Sequence, residues 1–338
     1  MENYYSDYIA TINGALKNSK TKSFSRMTGS PEIRLSNSFL NESIDLTPLR
    51  SLRNISDQIR LKPIINQRLG QHPDFIHLRT SKQTENHYIV SVFIDITNST
   101  GLFKKYDLDT ILVITNTIQR AAIHTCVACG GYIERLQGDG LFVYFGGKSI
   151  SKDDAIRGAL IATSMFTYFV KNDLQAIFQN EGVEDIISTK IGVDFGNDDE
   201  VLWFKAGIGE CSEITTLSLH TSLASKMMGN APKHGIVVGE NIKNRAALTP
   251  DLYDLVKNSK GEVKRYIYED RNKNLHYTQF TFDWSKFLIA NKLLDEINST
   301  NTGRYLNQSI NPPTIVNSKG YDDALNKTSA NNSPWAKE

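Results

Sequence analysis

Ser91-Val-Phe-Ile-Asp-Ile-Thr-Asn-Ser-Thr-Gly-Leu-Phe103 starts as an apolar strand and ends as a small-residue turn, with a carboxylate between the two. A lone carboxylate in a buried strand is costly unless it is paired or holds a metal ion. Asp95 therefore asks for a partner. The turn after it, Thr97 to Leu102, is rich in small polar residues at a helix start, where backbone N–H groups suit phosphate.

Outward from this stretch, the apolar pattern predicts a strand over 88–96, a helix over about 107–128 and a glycine stop at Gly130-Gly131. A hairpin follows, with Tyr132 to Leu136, a Gln137-Gly-Asp-Gly140 tip, and the apolar Leu141 to Phe145. A second helix over about 153–169 begins with two aspartates, which suit its positive end. Further strands are expected over 189–194, 203–208, 236–239, 263–268 and 277–282, with a helix near 218–228. Strand, helix, hairpin, helix, strand is the order of an α+β split βαβ palm of ferredoxin-like type, a sheet with helices on one face.

The second carboxylate is Asp139. Asp-Gly is a common tight-turn pair, so a Gly-Asp-Gly tip has a purely structural explanation. In a palm, however, the first strand and the hairpin are adjacent, and Asp95 and Asp139 can converge. Two converging carboxylates repel unless a cation lies between them, and hard oxygen donors suit Mg²⁺ or Mn²⁺. Carboxylates beside a phosphate cradle point to a nucleoside triphosphate site.

The 338 residues carry 38 basic and 37 acidic side chains, a formal net charge of +1. This balance gives no general attraction to nucleic acid or to an anionic membrane. Apolar runs are too short to span a bilayer and the start has no signal-peptide layout, so a cytoplasmic protein is expected. Cys126 and Cys129 form a C-x-x-C inside the helical pattern and read as small buried residues. The expected organisation is a partly flexible extension with a helical lead-in over 1–85, a catalytic domain over 86–285, and a C-terminal helix with a flexible tail over 286–338. Residues 1–45 read as loosely attached, and the lead-in runs from about 46 to 69.

Three motifs in order resemble the class III nucleotide cyclases: Phe93-Ile-Asp-Ile-Thr-Asn-Ser-Thr-Gly101, Arg135-Leu-Gln-Gly-Asp-Gly140, and Lys190-Ile-Gly-Val-Asp-Phe-Gly196. The resemblance implies two Mn²⁺ or Mg²⁺ ions on Asp95, Asp139 and the carbonyl of Ile96. It implies triphosphate contacts from Asn98, Ser99, Thr100, Gly101 and Leu102. Ser222-Leu-Ala-Ser-Lys226 stands where the family carries an asparagine and an arginine that stabilise the transition state, and both positions depart from that pattern. Arg135 and Thr215 occupy the base-reading positions, and Lys260 that of a triphosphate-holding lysine. Lys226 and Lys260 are also ordinary candidates for solvated surface cations. The family forms its sites across a homodimer, with metal ligands from one protomer and the remaining groups from the other.

Arg135 replaces the lysine usual in purine cyclases, and with Tyr88 it implies a pocket for a one-ring base. This resembles the pyrimidine cyclases of the bacterial Pycsar anti-phage system, whose cyclic CMP or cyclic UMP is read by a separate effector. The expectation is CTP, with UTP as the near competitor. Adenylate or guanylate cyclase, a degenerate nucleotide-binding module and a palm-fold nucleotidyltransferase are the alternatives.

Overall fold

The computed structural model describes residues 4–10, 12, 50–65, 67–270 and 273–294. Residues 4–10 are helical, followed by α1 (Arg50–Ile59), a 3₁₀ turn (Pro73–Arg79), β1 (Glu85–Asn86) and β2 (Ile89–Ile96). Next come α2 (Ser99–Leu102), α3 (Leu108–Ala128), β3 (Gly131–Gln137), β4 (Gly140–Phe145) and α4 (Lys152–Phe169). A π-helical stretch leads to α5 (Gln175–Asn180), then β5 (Thr189–Gly196), β6 (Val201–Ile208), β7 (Cys211–Ser218) and α6 (Leu219–Met228). The chain closes with β8 (Gly235–Gly239), α7 (Glu240–Arg245), β9 (Tyr253–Leu255), β10 (Arg265–Asp270), β11 (Lys273–Phe282) and α8 (Trp284–Ala290).

The main sheet runs β10-β11-β8-β5-β2-β4-β3, with β9 on β11. β4 lies between β2 and β3, so β2–α3–β3 is the split βαβ unit expected from the sequence. β5 is antiparallel to β2, and β8 is parallel to β5. A smaller sheet, β1-β6-β7, packs with the 3₁₀ turn, where Phe75 stacks on Trp203 at 3.9 Å.

Alternation along β2 and β5 divides the two faces. Val90, Val92, Ile94 and Ile96 join Ile191, Val193 and Phe195 in the core shared with α3 and α4. Ser91, Phe93 and Asp95 point the other way, as do Gly192 and Asp194. Here the structure corrects the expectation of helices on one face. α6 packs on the opposite face, and a Cβ at Gly192 would collide with the Ala224 carbonyl oxygen. Glycine at that point lets the helix seat directly on the strand.

Two expectations for the N-terminal segment also change. The sequence suggests that residues 1–45 are loosely attached, but Tyr5, Tyr8 and Ile12 are buried. Tyr5 stacks on Phe169 at 3.8 Å and bonds to the Thr125 hydroxyl at 2.8 Å, while the Tyr8 hydroxyl donates to the Thr117 carbonyl at 2.7 Å. Their spacing of three and four residues makes one helical face. The lead-in helix stops at Ile59, where Arg60 turns to φ 56° and Pro63 disfavours helix at the residue before it. The first four positions of the expected lead-in, 46–49, the rest of 13–49 and the tail from 295 lie outside the described residues.

Cys126 and Cys129 are buried within and just after α3. Burial pushes both thiols up, Cys129 to about 12, so neither is a thiolate. Among the described residues, no helix is long and apolar enough to cross a membrane.

Candidate active site

β2 pairs with β4 through Ile94↔Leu141, which places Asp95 beside Gly140 at the hairpin turn. A Cβ on Gly140 would lie 3.0 Å from the Ile94 carbonyl and 3.3 Å from Asp95 Oδ1, so the glycine leaves room for this carboxylate against the turn. Asp139 immediately precedes it, and its Oδ2 is buried without a hydrogen-bond partner. Burial pushes the Asp95 carboxyl above its ordinary value, and the charge of Asp139 pushes the same way. The Ile96 N–H and Lys190 only partly oppose that shift.

The structure thus joins two half-buried carboxylates that repel each other. An orphaned buried oxygen on Asp139 and an all-oxygen donor set fit a hard divalent ion, whose remaining ligands would come from phosphate and water. Among the described residues, no third His, Cys, Asp or Glu completes a protein-only metal cluster.

The turn after Asp95 begins with Asn98 in the left-handed region, φ 56°. The Thr97 N–H donates to the Ser188 carbonyl at 2.8 Å, and the Gly101 N–H to the Asn98 carbonyl at 2.9 Å. These two donors already serve the turn itself. Thr97, Asn98, Gly101 and Leu102 line a hollow of about 350 Å³ that Lys233 closes from across the sheet end.

The base-reading positions come together elsewhere. Arg135 follows a bulge in β3 and ion-pairs with Glu213 of β7. Two residues on, the Thr215 hydroxyl lies 3.3 Å from the Tyr144 hydroxyl of β4. Tyr88 does not join them. It precedes β2 at the end away from Asp95, and its hydroxyl donates to the carbonyls of Ile150 and Gly147. It is seven residues from Asp95 along the strand, roughly 23 Å.

Ser222 and Lys226 stand one turn apart on the exposed side of α6. The Ser222 hydroxyl donates to the Ser218 carbonyl at 3.3 Å. Lys260 is exposed in the loop between β9 and β10, where its N–H donates to Asn258 Oδ1 at 2.9 Å.

Sequence reasoning missed two buried groups. Glu134 is fully buried, and neither of its carboxyl oxygens makes a hydrogen bond of ordinary geometry. Burial pushes its carboxyl up to about 8, against the opposing pull of Arg135 and Thr215. Asp194 is also fully buried. Its Oδ2 lies 2.9 Å from His220 Nδ1 at the start of α6, and its Oδ1 accepts from the Tyr277 hydroxyl at 2.6 Å and the Phe195 N–H at 2.9 Å. His220 Nε2 in turn faces Glu200 at 3.2 Å. For Asp194, a charged residue at a strand position otherwise expected to be apolar was the available signal.

The sequence is 39% identical over 246 residues to a cytidylate cyclase of Staphylococcus aureus, covering 72% of this chain and 57% of that protein. The chain is a relative of the cytidylate cyclases. A cytidylate cyclase of Escherichia coli is 32% identical over 250 residues, covering 72% of this chain and 53% of its own length. The chain therefore spans little more than half the length of these curated relatives. Among solved structures, the adenylyl cyclase CyaB from P. aeruginosa aligns with a TM-score of 0.49 and 14% identity, covering 59% of this chain and 95% of that one. No family model matches the sequence.

Proposed function

We propose that this chain converts CTP to 3′,5′-cyclic CMP and pyrophosphate. The observation that carries the reading is the convergence of Asp95 and Asp139, on motifs shared with cyclases, in a chain related to cytidylate cyclases.

Asp95, Asp139 and the Ile96 carbonyl would hold Mg²⁺ or Mn²⁺, two ions by resemblance to the family. When bound, such ions lower the pKa of the ribose 3′-hydroxyl and neutralise charge on the phosphates. The turn at Asn98 to Leu102 cradles the triphosphate, placing the α-phosphate in line with the 3′-oxygen. That oxygen attacks the α-phosphorus of its own nucleotide, and pyrophosphate leaves. Lys226 places positive charge where negative charge builds on the α-phosphoryl oxygens, Ser222 offers a hydroxyl beside it, and Lys260 holds the leaving phosphates. Arg135 offers two parallel N–H donors that match the adjacent O2 and N3 acceptors of cytosine, whereas uracil presents an N–H at N3.

Ser222, Lys226 and Lys260 are exposed, which leaves them open to a homodimer whose partner supplies them. The resemblance to anti-phage pyrimidine cyclases further suggests a separate effector that reads the product. Incubation with ATP, GTP, CTP and UTP at equal concentration with Mn²⁺, followed by mass identification of products, tests the reading. Cyclic CMP is the expected main product. A dominant cyclic AMP or cyclic GMP product would overturn the pyrimidine assignment, and no cyclic nucleotide at all would overturn the activity.

A further inference from the structure

A line of hydroxyl groups crosses the face that α6 covers. Ser91 of β2 meets Thr221 of α6 at 2.8 Å, Thr221 meets Thr216 of β7 at 3.2 Å, and Thr216 meets Tyr144 of β4 at 2.8 Å. Tyr144 then reaches Thr215 at 3.3 Å. Ser91 and Tyr144 are themselves directly opposite in the β2–β4 ladder, and both are almost completely buried. The tyrosine ring is held between Phe142 and Trp203, so its hydroxyl has little freedom to move. One end of this line is a base-reading position. Near the other end, Thr221 directly precedes Ser222 on the helix that also carries Lys226.

We infer that Tyr144 and Thr221 are positioning residues that couple recognition of the base at Thr215 to the seating of α6. The inference rests on the proposed cyclase reading and deepens it. Each hydroxyl carries one proton to donate, so in a series of hydroxyls the direction of one hydrogen bond sets the direction of the next. A base that fixes the Thr215 proton fixes the bonds of Tyr144, Thr216 and Thr221 in turn. A base with the wrong donor or acceptor leaves one of these buried bonds reversed or unmade, and α6 is then held less well. Discrimination gained this way is expressed in kcat, because it acts on the helix that stabilises the transition state rather than on initial binding.

Tyr144→Phe and Thr221→Val each remove one hydroxyl while keeping the shape of the side chain, whereas Thr221→Ser keeps the hydroxyl. The readouts are kcat and KM for CTP and UTP separately, with thermal midpoints measured alongside. Tyr144→Phe and Thr221→Val should each lower kcat for the preferred nucleotide by up to about tenfold. KM should stay close to wild type, and the preference between CTP and UTP should narrow. Thr221→Ser should retain wild-type discrimination, and the double variant should be no worse than the weaker single one, since both cut one chain. Equal losses on both nucleotides, or losses that add in the double variant, would reduce these residues to packing and overturn the coupling. Unaltered kinetics in Tyr144→Phe, which preserves the aromatic packing if Thr221→Val fails to fold, would overturn it as well. A wild-type protein that makes no cyclic pyrimidine nucleotide removes the proposed function itself, an outcome distinct from active enzyme with unchanged variants.

Discussion

Asp95 in β2 and Asp194 in β5 lie four residues apart on adjacent strands and turn to the same face, yet their surroundings are opposite. Burial raises the Asp194 pKa, but His220, Tyr277 and the Phe195 N–H all pull it back toward the charged form. Around Asp95, burial and the nearest carboxylate act in the same direction. Burial alone would lower the His220 pKa, but the bond and charge of Asp194, followed by Glu200, raise it. The His220 ring thus bridges two carboxylates and fastens the start of α6. One end of the sheet contains a charge that the fold has already satisfied. The other contains charges that await something from outside the chain.

The largest effect expected from this contrast is on turnover. Asp95→Ala or Asp139→Ala should abolish cyclic nucleotide formation, while the thermal midpoint stays level or rises because a repulsion has been relieved. Near-wild-type product from either variant would erase the distinction between the two ends. Because the unsatisfied end is proposed to be half a site, mixing inactive Asp95→Ala with inactive Lys226→Ala should restore about a quarter of wild-type activity through heterodimers. No recovery after demonstrated subunit exchange would place the whole site within one protomer.

The satisfied end should respond in stability instead. Asp194→Ala strips a buried partner from His220 and should cost roughly 3–5 kcal/mol in denaturant unfolding. The remaining folded protein should still form cyclic nucleotide, with kcat lowered only as far as α6 is held less well. Wild-type stability with lost turnover would mean that Asp194 belongs to the chemistry after all. The clamp should also weaken with rising pH, since a raised histidine pKa stabilises the fold below its unfolded value and that contribution is lost on passing the folded one.

The smallest effect concerns Glu134. Its carboxyl is pushed up to about 8, so the folded protein holds a proton that the unfolded chain has released, and stability falls as pH rises toward that value. Glu134→Gln should remove this slope, gaining roughly 2 kcal/mol on the wild type between pH 6 and pH 9. Parallel stability curves for the two proteins would show that Glu134 is not neutral in the fold.

Asp95, the turn and Asp139 were legible in the sequence because each lies within a local pattern: a strand, a small-residue turn and a hairpin tip. The palm order followed from the same periodicity. What was not legible depends on residues distant in sequence. His220 and Asp194 are 26 residues apart. The placement of α6 depends on the absence of a side chain at Gly192, which no periodicity reveals. Tyr88 and Arg135 both have side chains large enough to narrow a pocket, but the Tyr88 hydroxyl serves the loop around Ile150. Glu134 sits at a bulge, where strand alternation fails and adjacent charged residues no longer show which one is buried.

The docked segment at residues 4–12 has a consequence for the order in which the chain acquires its structure. Tyr5 meets Thr125 across 120 residues, and Tyr8 meets Thr117 across 109. At ribosomal rates of about 5–20 residues per second, this aromatic face waits roughly 6–24 s before its partners have been synthesised. Closing so long a loop is slow compared with forming α3 or the β3–β4 hairpin. Docking of residues 4–12 should therefore be among the last steps of folding, and these residues, together with the aromatic surface on Phe169, are where a chaperone would find the nascent protein open.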